Sequence, residues 1–258
     1  MNKKFVFVDL DGTILDYNTH QVPPSAVKAL ELARNNGHEI ILATGRPPAL
    51  FDGIEKTLNF TSYIASNGRV VVHHDEVIFD SPIPQEQIDQ IVALCHAEQI
   101  DLAYEGFELF ALESNYDTIY EKFCDHFNIQ YPVLMPGYGK GKRIYQINVF
   151  YEKPDFKRFE KLIPGLSFEY SCKYGLDVNT PGGFKEMGIK EFVKQYQLSL
   201  DDVIAIGDGY NDISMLQYAG TSVAMGNAYD GVKEHATFVT DRIENDGLYK
   251  AFVKLGLI

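Results

Sequence analysis

A chain of 258 residues, 45% hydrophobic and 23% charged, can bury one large core or a core carrying an insertion, and its composition excludes a disordered or fibrous protein. The formal net charge of −13 argues against a nucleic-acid partner, which needs a basic face, and against an anionic membrane surface; it leaves room for a small phosphorylated ligand held by a metal and a few local cations. No apolar run approaches the roughly 18 residues of a membrane span, the run after Met1-Asn2-Lys3-Lys4 is too short for a signal peptide, and Cys95, Cys124 and Cys172 fit neither a disulfide framework nor a zinc site.

The expectation is a cytoplasmic protein with reduced thiols, a catalytic cysteine being the lesser alternative. The chain opens on Phe5-Val6-Phe7-Val8, β-favouring and too short for a helix, then Asp9-Leu10-Asp11-Gly12-Thr13. This predicts a buried strand that delivers Asp9 and Asp11 into a turn at its C-terminal end. Alone, Asp-x-Asp-Gly is an ordinary polar turn, although two carboxylates so close repel unless a cation or a shared proton holds them. Val27, Leu30 and Ala33 at helical spacing predict a helix over 24–36 with Gly37 just past its end. A second strand over 38–43 closes on Thr44-Gly45-Arg46-Pro47. Strand, helix, strand makes a βαβ unit with parallel strands, so Thr44 and Gly45 reach the same sheet edge as Asp9 and Asp11.

A helix is expected over 47–58, then a short strand over 62–65 ending in Ser66-Asn67-Gly68. Residues 69–73 and 77–80 read as a hairpin turning at His74-Asp75-Glu76. His73 and His74 are metal ligands by type, but adjacent strand residues point to opposite faces, which makes them solvated hairpin residues. From Ser81-Pro82 the pattern changes: helix-like stretches (85–98, 115–127, 155–162) alternate with strand-like ones (101–104, 108–112, 143–151, 166–170, 176–179). Strands that follow one another without a helix indicate an antiparallel α+β module. Pro181-Gly182-Gly183 closes it, which places a core at 1–81 and 183–258 and an inserted domain at 82–182. The parallel pattern resumes with a helix over 186–196 and a strand over 203–206 that leads into Gly207-Asp208-Gly209-Tyr210-Asn211-Asp212. A helix over 213–219, a strand over 222–224 followed by Met225-Gly226-Asn227-Ala228, a short helix over 232–235, a strand at 238–239 and a helix over 247–255 complete it.

Three polar clusters thus follow apolar strands directly: Asp9 and Asp11, Thr44 and Gly45, and Asp208, Asn211 and Asp212. With parallel strands all three share one rim of one sheet, where open α/β sheets bind ligands. Their carboxylates can grip a hard cation through oxygen, Mg²⁺ being favoured because it accepts few protein ligands plus waters and a phosphate. The Thr44 hydroxyl, the Gly45 amide and Lys185, which enters a helix after Pro-Gly-Gly, can bind phosphate oxygens.

Asp9-Leu10-Asp11-Gly12-Thr13, Thr44-Gly45-Arg46, Lys185 and Gly207-Asp208-Gly209-Tyr210-Asn211-Asp212 resemble, in order, the four motifs of the haloacid dehalogenase superfamily, in its phosphatase branch. Asn67-Gly68, Val223-Ala224-Met225-Gly226-Asn227-Ala228, Val232-Lys233, Asp246-Gly247 and the place of the insertion are similar to the Cof-like sugar-phosphatase subfamily. The resemblance implies an α/β fold: a Rossmann-like three-layer core with a parallel sheet plus an inserted α+β cap that closes over the rim and chooses the substrate. It implies Asp9 as the nucleophile that forms an aspartyl-phosphate and Asp11 as general acid/base. Mg²⁺ would be held by Asp9, the Asp11 carbonyl and Asp208, and phosphate by the Leu10 amide, Thr44, Gly45, Lys185 and Asn211. Asp212 would support the metal or pair with Lys185, Thr13 would hold the turn, and Arg46 would be structural or substrate-facing. Glu186 departs from the glycine common after the lysine and brings a carboxylate near Lys185. In the cap, Glu113, Tyr116, Arg143 and Tyr174 lie near element ends, with packing as the alternative role for each.

The reading is a Mg²⁺-dependent phosphatase, monomeric or homodimeric, of small phosphorylated metabolites, with sugar phosphates ahead of nucleotide or cofactor phosphates. A phosphomutase of the phosphomannomutase type is the alternative, disfavoured because the cap has few arginines, Arg143 and Arg158. A non-catalytic phosphate-ligand protein is disfavoured because Asp9, Asp11, Lys185 and Asp208 are all present.

Overall fold

A computed structural model describes residues 2–152 and 156–258 of the chain. Met1 and residues 153–155 lie outside the described residues, so the helix expected from Asp155 is described from Phe156. In chain order the elements are β1 (Phe5–Val8), α1 (Pro24–Asn35), β2 (Glu39–Ala43), α2 (Ile54–Thr57), β3 (Tyr63–Ala65), β4 (Val70–His73), β5 (Glu76–Asp80), α3 (Gln85–Glu98), β6 (Asp101–Gly106), β7 (Phe110–Leu112), α4 (Ile119–Phe127), β8 (Val133–Leu134) and β9 (Ile144–Phe150). There follow α5 (Phe156–Leu162), β10 (Ser167–Cys172), β11 (Gly175–Asn179), α6 (Lys185–Tyr196), β12 (Val203–Gly207), α7 (Ile213–Tyr218), β13 (Thr221–Ala224), α8 (Asp230–Lys233), β14 (Phe238–Val239) and α9 (Gly247–Lys254). Two compact units result, one of Met1–Gly45, Gly53–Asp80 and Phe184–Ile258, the other of Arg46–Asp52 and Ser81–Gly183.

The first unit is built on one sheet of order β14-β13-β12-β1-β2-β3-β4-β5, parallel from β14 to β3 and antiparallel through β4 and β5. Its central strands are apolar on both faces because both are covered, as parallel strands require. Phe7, Ile41, Ala205 and Ala224 pack with Ile189 and Phe192 of α6, Met215 and Leu216 of α7 and Val232 of α8. The alternate residues Val6, Val8, Ile40 and Leu42 are buried on the opposite face. There α1 lies against β2 and against α9. Val8 is level with both Leu42 and Ile206, so β1, β2 and β12 end together and present one rim.

The second unit carries a sheet of order β10-β11-β9-β6-β7-β8. It is antiparallel except where β8 pairs parallel with β7. Both residues of β8 are exposed, and so short a strand leaves no periodicity to read. One face of this sheet, with Leu102, Tyr104, Ile147, Val149 and Leu176, packs on Ile88 and Ile91 of α3 and Phe159 of α5. Ala103, Phe110 and Phe150 pack instead on Phe123 and Cys124 of α4.

The helix expected over 47–58 does not form as one piece. A 3₁₀ turn at Pro48–Leu50 is separated from α2 by Asp52 and Gly53, whose φ values of 53° and 75° are left-handed and stop helical propagation. The stretch Arg46–Asp52 accordingly groups with the second unit, where Leu50 enters the cluster of Phe110 and Phe123. Among the described residues no helix is long and apolar enough to cross a membrane.

Candidate active site

The rim at the ends of β1, β2 and β12 gathers the expected residues of the first unit. Asp9 is the first residue past β1, and its amide donates to the Ile206 carbonyl at 2.9 Å, which fixes the carboxylate at the end of the strand. The Leu10 carbonyl then accepts from the amides of Ile14 and Leu15 at 2.9 and 2.7 Å, folding residues 10–15 into a tight turn with Asp11 at its start. Gly12 sits at φ +86°, and a Cβ there would lie 2.2 Å from Asp208 Oδ2, so turn and carboxylate approach only because no side chain intervenes. The buried Thr13 hydroxyl donates to Asp208 Oδ1 at 3.2 Å, a closer tie to the site than a turn contact alone.

Lys185, the first residue of α6, is fully buried. Its Nζ lies 2.5 Å from Asp9 Oδ1 and 2.5 Å from Asp212 Oδ1. The other Asp212 oxygen accepts the amides of Asp208 and Gly209, both at 2.8 Å. Asp212 is therefore spent on orienting the lysine and the loop after β12. That loop closes tightly: a Cβ at Gly207 would stand 2.5 Å from the Asp212 carboxyl carbon. Glu186 turns away from Lys185 and pairs with Lys190 one helical turn on.

Oxygens of Asp9, Asp208 and Asp212 lie within 4.8 Å of one another. Burial first, and then Asp212, push the Asp9 carboxyl well above the usual range despite Lys185, with Asp208 and Asp11 adding to the effect. Burial and Asp212 likewise raise Asp208 to about 7, against the Thr13 hydroxyl and Lys185. Lys185 loses affinity for its proton through burial, but Asp212 and Asp9 outweigh this and its net shift is upward. One ammonium thus faces more negative charge than it balances. A hard divalent cation suits this all-oxygen donor set: Asp9 and Asp208 retain lone pairs for it, and its charge relieves the repulsion that raises both.

On the β2 side, the Thr44 amide donates to Ile64 and its carbonyl accepts from Asn67, so Thr44 is part of the ladder. Gly45 faces the side chains of Asn67 and Asn211, and the Asn211 amide donates to Asn67 Oδ1 at 3.2 Å. Thr44, Gly45 and Asn211 therefore form one group, which Asn67 joins. Asn227 also belongs to the rim: its Nδ2 donates to the Gly12 carbonyl at 2.8 Å and to Asp208 Oδ2 at 3.3 Å, while its Oδ1 accepts the Ile243 amide. Its signal is its place directly after β13, another strand of the same parallel set. Tyr17, half-exposed, leans on Gly12, and burial together with the Asp208 and Asp9 charges holds its hydroxyl protonated.

Within the second unit Arg46 donates to the Leu50 carbonyl in its own loop. Glu113 accepts from the Tyr104 hydroxyl at 2.8 Å and from the Gly137 amide at 2.6 Å, the Tyr116 hydroxyl meets His96, and Arg143 stacks on Phe107. These are internal ties. A different set lies along the sheet: Gln146 donates to Glu105 at 2.9 Å, Asn148 to Asp177 at 2.9 Å and Asn179 to Gln146 at 3.1 Å. Its signal was the alternation of Gln146 and Asn148 with Ile147 and Val149 along β9. All three cysteines are buried and unpaired, and burial raises the Cys95 and Cys124 thiols to about 12.

The family model for haloacid dehalogenase-like hydrolases matches residues 6–252. The chain is 32% identical to YkrA of Bacillus subtilis strain 168, over the full length of both. A solved structure from Geobacillus kaustophilus HTA426 superposes with a TM-score of 0.94 at 31% identity, covering both chains entirely. The sugar phosphatase BT4131, assigned to subclass IIB of the superfamily, is 31% identical with a TM-score of 0.79, covering 99% of this chain and 100% of that one.

Proposed function

The chain belongs to the haloacid dehalogenase-like hydrolases, as a phosphatase of their Cof-like branch acting on phosphate esters, and on that premise we propose Mg²⁺-dependent hydrolysis of small phosphorylated metabolites through an aspartyl-phosphate on Asp9. The observation that most supports this reading is the buried Asp9 carboxylate at the end of β1, beside the Lys185 ammonium and the Asp208 carboxylate. In the proposed reaction Asp9 attacks phosphorus as the alcohol leaves, and Asp11 gives the leaving oxygen its proton. Asp11 then takes a proton from the water that hydrolyses the acyl-phosphate, so two easier transfers replace one difficult one. Asp9, the Asp11 carbonyl and Asp208 would hold Mg²⁺, which when bound offsets the repulsion between carboxylate and phosphate dianion and spreads the charge of the transferring group. The Leu10 and Gly45 amides, the Thr44 hydroxyl, Lys185 and Asn211 bind the remaining phosphate oxygens. Asp212 keeps Lys185 aimed at them.

Since these groups read only the phosphate, the inserted unit selects the rest of the substrate. Sugar phosphates lead because the half-buried Gln146, Asp177 and Asn179 offer both donors and acceptors, as a polyol needs, and because BT4131 is named a sugar phosphatase. The buried reduced thiols suit work in the cytoplasm. The test is phosphate release from sugar, nucleotide and cofactor phosphates, with Mg²⁺ and with chelator, using Asp9→Asn as the blank. Mg²⁺-dependent release led by sugar phosphates is the expected result. Release unaffected by chelation overturns the metal assignment, and a preference for nucleotides overturns the substrate class.

A further inference from the structure

A second convergence of ligating side chains lies in the first unit, away from the rim. Glu39 opens β2, at the opposite end of the strand from Ala43 and the rim, and His73 ends β4. His74 does not turn to the other face as an adjacent strand residue would. Its φ of 51° takes it out of the strand and swings its ring beside that of His73, with centroids 4.0 Å apart and planes 35° apart. Both Nε2 atoms then face the same oxygen of Glu39, Oε1, at 3.7 and 3.8 Å. All three ligand atoms fall within 4.8 Å of one another.

These separations are too long for hydrogen bonds. They are close to the spacing of about 3.3 Å that tetrahedral ligands keep around Zn²⁺ at its usual bond lengths. His73 Nε2 is buried and has no hydrogen-bond partner. Its other nitrogen, Nδ1, is 2.5 Å from the Tyr196 hydroxyl at the end of α6. With the Nδ1 proton donated to Tyr196, the Nε2 lone pair is aimed at the shared centre, the arrangement by which outer partners orient metal-binding histidines. Phe192 packs edge-on against the His73 ring at 5.0 Å and holds its plane. The second Glu39 oxygen accepts Lys3 at 2.9 Å, which leaves Oε1 for a ligand. His74 is 63% exposed, so water reaches the fourth position.

We propose that Glu39, His73 and His74 bind a first-row divalent cation of borderline softness, Zn²⁺ by preference, with water as the fourth ligand. Two imidazoles discriminate against the Mg²⁺ suited to the rim, which takes oxygen ligands. The ion ties the start of β2 to the β4–β5 turn and, through Tyr196, to α6, acting as a staple of the first unit and not as part of the hydrolytic site.

Titration of the full chain with Co²⁺, followed by visible absorption and then by displacement with Zn²⁺, tests this. Saturating Mg²⁺ is present throughout, and Asp208→Asn is run in parallel to remove the rim's contribution. One Co²⁺ per chain with a tetrahedral band is expected, retained in Asp208→Asn and lost in Glu39→Gln and His74→Gln. His74 is exposed, so His74→Gln keeps the fold, which an unchanged melting temperature in chelator verifies. Tyr196→Phe, acting through His73, weakens binding by about 10- to 100-fold. A stoichiometry unchanged by His74→Gln, loss of the band in Asp208→Asn, or no band at all overturns the proposal.

Discussion

At the scale of single residues, the balance at Lys185 governs the rim. A fully buried ammonium is tolerated because Asp9 and Asp212 both touch it, and Asp9 and Asp212 are tolerated in part because it is there. Lys185→Met removes the cation while keeping the bulk, and leaves two buried carboxylates uncompensated. Denaturant unfolding should show a loss of about 3–5 kcal/mol, partly restored by divalent metal; wild-type stability would show that the carboxylates have another counter-charge. Asp11 makes a separate prediction. If it protonates the leaving oxygen, Asp11→Asn slows sugar phosphates far more than nitrophenyl phosphate, whose leaving group needs no proton. Equal losses would remove its acid role. Asp9, Asp11, Thr44, Gly45, Lys185 and Asp208 were legible because each stands at an element end that the apolar pattern marks. Asn67 and Asn227 entered only through the family resemblance, with no role attached, and Thr13 only as a holder of the turn, since a polar residue in a turn is common and only the local φ, such as 51° at Asn67, decides whether it turns toward the site. Glu186 was ambiguous for the same reason, until its pairing with Lys190 fixed its direction.

At the scale of elements, the sheet of the second unit carries a cost that pH can reveal. Glu105 on β6 is pushed up to about 8 by burial and then by Asp177, against hydrogen bonds from Asn148 and Gln146. The folded protein therefore holds this proton more tightly than the unfolded chain, whose glutamate titrates near about 4.3. Stability falls as pH rises between the two values, because ionising Glu105 is harder in the folded state. Glu105→Gln should flatten the fall of melting temperature between about pH 5 and 9 and be the more stable protein at the upper end; parallel profiles for the two proteins would contradict this. The elements read correctly from sequence, such as β1, β2 and β12, are continuous apolar runs bounded by sharp polar turns. The stretch over 47–58 misled because its helical residues conceal Asp52-Gly53 in left-handed conformation. His73 and His74 share one side, contrary to strand alternation, because β4 ends at His73 and His74 turns out of it.

At the scale of the whole molecule, a chain of net charge −13 handles an anionic substrate by concentrating cations at one place. Lys185 supplies one, and the proposed Mg²⁺ among the carboxylates around it would supply another. Metal removal should accordingly abolish turnover while leaving the protein folded, as circular dichroism in chelator would register. On the proposed mechanism the phosphoryl group passes through Asp9. The most direct measurement is the intact mass of enzyme acid-quenched during turnover of a phosphate ester with Mg²⁺, compared with Asp9→Asn treated alike. A fraction heavier by one phosphoryl group in the wild type, absent from a folded and inactive Asp9→Asn, is the predicted result. Near wild-type phosphate release by Asp9→Asn would remove Asp9 as the nucleophile, whatever the mass spectrum shows.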